Sequence, residues 1–163
     1  MNPASRAQVY QGLGETLAAI QPPMWVGYMA TFLRKKGYSV AVVDAEAYSL
    51  PPKTAAEQIL EFNPILVAVV CYGNQVSAST QVMPGARAIC TALKDISPDT
   101  KTLLVGGHVA ALPKRTLEEE PADFVCGGEG PYTVADLVDS LRGGRSEDLK
   151  KVRGLWYQSE GEI

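Results

Sequence analysis

Three short segments hold most of the residues that could do chemistry. In "CYGNQV" (71–76), Cys71 is followed by Tyr72, Gly73, Asn74, Gln75 and Val76. In "GGHV" (106–109), Gly106 and Gly107 precede His108, the one histidine of the chain, and Val109 follows it. In "GGEG" (127–130), Glu129 stands between Gly127-Gly128 and Gly130. Glycine lets backbone come close to a ligand or turn with positive φ. Two glycine pairs beside a polar Asn-Gln edge therefore suit a broad flat ligand better than a small one. His108 could be a metal ligand, a base or a polar residue at a strand end. Glu129 precedes a helix start, where a carboxylate is stabilised, and either organises its loop or touches a ligand.

Each segment follows a stretch that reads as a strand. "ILVAVVCYG" (65–73) is a continuous apolar, β-branched run, as expected for a strand covered on both faces. "TKTLLVGG" (100–107) and "ADFVCGG" (122–128) have the same character, and "SVAVVDAE" (39–46) reads as an earlier strand. Helical spacing fills the gaps. Trp25, Met29, Phe32 and Leu33 share a face after Pro22-Pro23, and Gly37 ends that helix. Thr54 and Glu57 fit a capping box before Ile59 and Leu60. Val82, Ala86, Ile89, Cys90 and Leu93 form another face, with Pro84 expected near the first turn. Pro113 opens a short helix to about Glu119. Pro131 opens a longer one, carrying Val134, Leu137, Val138 and Leu141, that ends at Gly143-Gly144. "GLWYQSEGEI" (154–163) reads as a strand entering a hairpin.

Strands alternating with helices predict a doubly wound parallel sheet with helices on both faces. Ligands of such sheets bind at the carboxyl ends of the strands, where all three segments lie. The leading strand that usually opens this arrangement has no counterpart before Asn2-Pro3, so it is expected to be missing or reduced to a stub. An edge left open invites pairing between copies, hence a homodimer or swapped elements. Residues 1–145 are read as the α/β domain, and 146–163 as a linker and hairpin start.

The 163 residues fit one domain, and 46% hydrophobic with 20% charged residues is ordinary for a globular chain. A net charge of −3 offers no field for a phosphate backbone, so nucleic acid is not an expected partner. No apolar run approaches the ~20 residues of a membrane span, and no signal-peptide pattern opens the sequence. The expected location is cytoplasmic. Cys71, Cys90 and Cys126 form neither a C-x-x-C pair nor a cluster-binding C-x-x-x-C-x-x-C and read as small buried residues. Neither a G-x-x-x-x-G-K-[ST] phosphate loop nor a G-x-S-x-G nucleophile turn occurs.

The ordered set "QPPMWVGYMATFLRKKGYSVAVVDAEA", "NPILVAVVCYGNQ", "LLVGGHVAALPKRTLEEEPADFVCGGEGPYT" and "VRGLWYQSEGEI" resembles the N-terminal cobalamin-binding domain of the cobalamin-dependent radical SAM enzymes. That resemblance implies a flavodoxin-like, or Rossmann-like, domain with a corrinoid across the carboxyl edge of its sheet. Full-length members continue into a barrel where a 4Fe-4S cluster cleaves S-adenosylmethionine. Most use cobalt to carry a methyl group, and others run rearrangements or ring closures. By the same resemblance, Tyr72 to Val76 match the corrin-side edge. Gly106 to Val109 match the segment passing the ring or its nucleotide tail, and Gly127 to Gly130 the turn beside the tail. The family often reads GEGE where this chain has Gly128-Glu129-Gly130-Pro131. His108 lacks the D-x-H-x-x-G setting of a lower cobalt ligand, since Gly106 stands two residues before it. It is read as a neighbour of the cofactor, and no protein ligand to the metal is assigned. A stand-alone corrinoid methyl carrier and a flavodoxin-like binder of flavin or another nucleotide are the competing readings. A cluster motif downstream in the gene, or copurified yellow flavin, would separate them.

Overall fold

The computed structural model describes residues 1–13, 19–73, 78–144, 146–159 and 163. Helix α1 (Arg6–Tyr10) and a 3₁₀ turn (Gln11–Leu13) precede α2 (Met24–Lys35) and α3 (Pro52–Leu60). The order continues β1 (Val67–Val70), α4 (Ser79–Ile96), β2 (Thr102–Val105), α5 (Gly107–Ala111), α6 (Pro113–Glu119), β3 (Phe124–Cys126), α7 (Gly130–Gly143), α8 (Ser146–Leu149) and β4 (Leu155–Tyr157). The four strands form one sheet in sequence order. β1, β2 and β3 are parallel, whereas β4 adds antiparallel at the edge beside β3. Among the described residues, no helix is long and apolar enough to cross a membrane.

The strands are apolar throughout because both faces are covered. Val67, Val69, Leu104 and Val125 face α3 and α4, while Val70, Leu103, Val105, Phe124 and Cys126 face α2 and α7. The alternation follows from the two-residue period of a strand. The inward faces of α4 and α7 are those expected from spacing: Val82, Ala86, Ile89, Cys90 and Leu93, then Val134 and Leu137, are buried. Gly144 ends α7 in the left-handed region at φ 67°. All three cysteines are buried and free, and burial pushes the Cys90 thiol up to about 12.

Four local expectations are corrected. First, the strand expected over 39–46 forms no ladder among the described residues; Asp44 makes an isolated parallel bridge to Asn2, and a turn follows at 45–49. Between this segment and β1, among the described residues, Met1 and Asn2 alone provide pairing. Val70 N–H donates to Met1 C=O and Ala45 N–H to Asn2 C=O, both at 3.0 Å. These two residues stand between Ser39–Asp44 and β1. Second, α3 starts from Pro51 without a side-chain cap, so Thr54 and Glu57 make no capping box. Third, Pro84 lies inside α4, not in its first turn. Fourth, the buried face of α2 is Val26, Met29, Ala30 and Leu33. Trp25 is displaced to its margin and is 42% exposed.

At the opposite, amino end of the sheet, Asp123 ties β2 to β3. Its Oδ2 accepts from Lys94 Nζ at 2.7 Å and from Thr102 N–H and Oγ1 at 2.8 Å each. Burial alone would raise the carboxyl, but the Lys94 ammonium and the two Thr102 donors outweigh it and hold the group below its ordinary value. A depressed folded value contributes stability above the unfolded carboxylate range, lost as pH falls through the folded value. Asp123→Asn is therefore expected to cost about 1.5–3 kcal/mol at neutral pH. Chemical denaturation at pH 7 and pH 3 checks this, and the gap between variant and parent should shrink at the lower pH.

Candidate functional site

Because β1, β2 and β3 run parallel in the register Val70↔Val105↔Cys126, their following loops emerge along one edge. Tyr72–Gly73, Gly106–Val109 and Gly127–Gly130 are thereby brought together. Asn74, Gln75 and Val76 lie outside the described residues. A cleft of about 370 Å³ opens at the β1 end of this edge, between Asn2-Pro3 and Tyr72-Gly73. Trp25, Gln21, Glu46 and Gln81 also line it. It sits where the chain connections on the two sides of the sheet diverge, the usual ligand position in open α/β sheets.

Each strand end is organised differently. After β1, the Tyr72 ring stacks on Trp25 with centroids 4.8 Å apart and planes 28° from parallel. Burial first, then the neighbouring Cys126 and Glu129, raises the Tyr72 phenol above its ordinary value. Tyr72 is therefore a neutral donor at physiological pH. Gly73 turns the chain at φ 65°, a conformation that favours glycine.

After β2, the chain enters α5 at once. Ser79, itself buried, joins two strand ends: its hydroxyl donates to Cys71 C=O and accepts from His108 N–H at 2.9 Å. The His108 ring is held by Nδ1, 3.0 Å from Thr80 Oγ1. Its place in the first turn of α5 leaves it half-buried at the edge. Val109, in contrast, is fully buried in the core, so its side chain supports α5 from beneath.

After β3, Gly127, Gly128 and Glu129 are exposed and Gly130 is buried. Glu129 stands at the N-cap of α7, but its side chain makes no cap bond. Its carbonyl instead accepts from Tyr132 and Thr133 N–H at 3.0 Å each. The loop is therefore organised by backbone, and the carboxylate is exposed at the edge.

The glycines also need a different explanation from ligand approach. A Cβ on Gly106 would collide with the Cys71 carbonyl oxygen, so its bare backbone is required by β1 packing beside β2. A Cβ on Gly127 would come within 2.7 Å of Trp156 Nε1, and one on Gly128 within 3.0 Å of Gly154 Cα. Gly130 would meet Val105 at 3.0 Å. These positions are small because the chain packs against itself there.

Three contributors escape sequence reasoning. Helical spacing assigns Trp25 to the core, although position 26 leads the buried face. Asp44 and Glu46 follow an extended segment and could have been found by applying the strand-end rule to it. Asp44 accepts from Asn2 Nδ2 at 2.7 Å, and Glu46 accepts from Ser5 and Arg6 N–H at 2.5 and 3.1 Å. Together they fix the wall of the cleft.

Residues 10–138 match the B12 binding domain family, a span that includes every one of these strand ends. The chain belongs to the B12-binding domain family. This B12-binding domain is 30% identical over 158 residues to the anaerobic magnesium-protoporphyrin IX monomethyl ester cyclase of Rubrivivax gelatinosus, covering 94% of the chain and 27% of that protein. It is 27% identical over 160 residues to the cytidylyl-2-hydroxyethylphosphonate methyltransferase of Streptomyces wedmorensis, covering 86% and 28%. Among solved structures, it shares its fold with the radical S-adenosylmethionine methyltransferase TsrM from Kitasatospora setae. That match has a TM-score of 0.73 and 18% identity, and covers 98% of this chain and 28% of that one. The B12-binding domain thus spans between a quarter and a third of the length of these proteins.

Proposed function

We propose that this B12-binding domain holds a corrinoid across the carboxyl edge of β1–β3 and presents it to a radical SAM catalytic domain for methyl transfer or related radical chemistry. The observation that carries the reading is the cleft between Asn2-Pro3 and Tyr72-Gly73, at the β1 end of the edge from which the Gly106–Gly107 and Gly127–Gly128 strand ends also emerge. The residues present fit such a group. The stacked Trp25 and Tyr72 rings give an apolar wall, and exposed Gly127 and Gly128 leave a surface without side chains. When bound, the corrinoid supplies a cobalt centre able to carry a methyl group.

The chain's own residues orient and shield. Tyr72 and Trp25 exclude water from one side of the cleft, and the neutral phenol offers a hydrogen bond. Ser79 locks the β1 and β2 ends to one another, fixing where α5 carries His108. With Nδ1 engaged by Thr80, the imidazole is oriented as a polar neighbour of the ligand. Gly127 to Glu129 contribute backbone and one carboxylate at the far end. Asn74, Gln75 and Val76 are assigned to corrinoid binding as well in this reading.

Mixing the protein with hydroxocobalamin and removing free ligand on a desalting column is expected to leave a bound corrinoid spectrum. Tyr72→Ala should weaken retention about tenfold, the scale expected when one aromatic ring is removed from a binding surface. A spectrum without corrinoid, from protein whose circular dichroism is native, would remove the proposal. Copurified flavin in its place would favour a nucleotide binder.

A further inference from the structure

The passages between neighbouring strand ends are closed by the chain itself. Between β1 and β2, the buried Ser79 hydroxyl donates to Cys71 C=O and accepts from His108 N–H. The same carbonyl stands where a Cβ on Gly106 would be. On the α2–α7 face, the start of α7 packs on the end of β2. A Cβ on Gly130 would come within 3.0 Å of Val105 Cγ1 and 3.3 Å of Met29 Cε, so the buried Met29 side chain fills the space there. Beyond β3, Trp156 of β4 leans over Gly127, with Nε1 2.7 Å from the place of a Cβ. Gly154 Cα lies 3.0 Å from that place on Gly128, and Thr133 Oγ1 fixes the segment by donating to Arg153 C=O at 2.9 Å.

A branch of a ligand can pass between strand ends only where packing leaves it room. The sequence resemblance puts a nucleotide tail beside these glycines, but the faces that would admit it are taken by Cys71, Met29, Trp156 and Gly154. The β1 end is different. The cleft there is lined by the stacked Trp25 and Tyr72 rings and by the amides of Gln21 and Gln81. Those groups match the rim of a corrin ring, whose methyl groups and neutral amide arms call for an apolar wall with hydrogen-bond donors and acceptors. At the β3 end the exposed group is the Glu129 carboxylate, which repels the phosphodiester joining the tail to the ring.

We propose that this domain grips the corrin ring with its amide arms and leaves the nucleotide tail in solvent, so that a tail-less corrinoid is a full ligand for it. Ser79, Met29 and Trp156 set this selectivity by closing the three passages. The inference rests on the corrinoid reading above and narrows it to one part of the cofactor. A tail seated between strands would add contacts to the complete cofactor alone, and specificity is the difference between the two affinities.

Equilibrium dialysis of the 163-residue chain against aquacobinamide and against hydroxocobalamin, read by corrinoid absorbance, compares the ring alone with the complete cofactor. Aquacobinamide is expected to bind at least as tightly as hydroxocobalamin, to within about threefold. Trp156→Ala reads the same claim from the protein side. It should weaken hydroxocobalamin no more than aquacobinamide, and the ratio of the two is independent of how much of the variant is folded. Aquacobinamide weaker than hydroxocobalamin by more than about threefold would overturn the proposal while leaving the corrinoid reading in place. So would a loss in Trp156→Ala confined to hydroxocobalamin, because the tail would then rest against the indole. Retention of neither ligand by natively folded protein would remove the corrinoid reading and this inference with it.

Discussion

Gly106→Val is expected to be among the most damaging single substitutions in this domain, costing about 3 kcal/mol or more. The residue is extended at φ 170°, which any side chain can adopt, so the penalty is steric and not torsional. An added Cβ would collide with the Cys71 carbonyl oxygen, and the whole Cys71 peptide would have to move. The same residue makes the last rung of the β1–β2 ladder, with Cys71 N–H donating to Val105 C=O at 2.6 Å. Its carbonyl also accepts from Ser79, whose hydroxyl holds His108 N–H. One added side chain thus disturbs both the sheet and the alignment of two strand ends. Thermal unfolding should show a fall of about 10 °C, and the protein still folded should bind hydroxocobalamin more weakly than the parent. A Gly106→Val variant with parental Tm would mean that the β1 and β2 ends separate freely.

Leu104→Ala should be comparably destabilising, by about 2–5 kcal/mol, yet leave the edge intact. Leu104 is fully buried in the middle of β2, between Val69 and Val125 across the sheet, and faces the α3–α4 layer. Its truncation leaves a cavity that close-packed neighbours fill only in part. The denaturation midpoint should fall with an unchanged m-value. Under native conditions the affinity for hydroxocobalamin should stay within about twofold of the parent, since the side chain points away from the carboxyl edge. Set beside Tyr72→Ala, which should do the reverse, the pair separates holding the fold together from holding the ligand.

The contrast between these residues also explains what is legible in the sequence. β1, β2 and β3 can be read because strands covered on both faces leave an unbroken apolar run. The faces of α4 and α7 are readable for the same local reason, and the order of strand ends then locates the edge. Pairing across the sheet cannot be read. Ser39–Val43 has strand composition, but its partner is a matter of which backbone lies beside it, and among the described residues that is Asn2, next to Met1. The glycines are visible as glycines, but their cause is not. Gly106 answers to Cys71, and Gly128 answers to Gly154, 26 residues later, contacts that no local pattern encodes. Helical spacing misplaces Trp25 by one position on the helix wheel, and that position separates a core residue from the stacked wall of the cleft.

Amide hydrogen exchange with and without saturating hydroxocobalamin tests the central claim most directly. Slower exchange is expected at Tyr72–Gly73, Gly107–His108 and Gly127–Glu129, with no change at the amino ends of the same strands around Lys101 and Asp123. Binding that protects the outer faces of the helices or the amino ends, while leaving those three loops unchanged, would contradict a corrinoid held across the carboxyl edge.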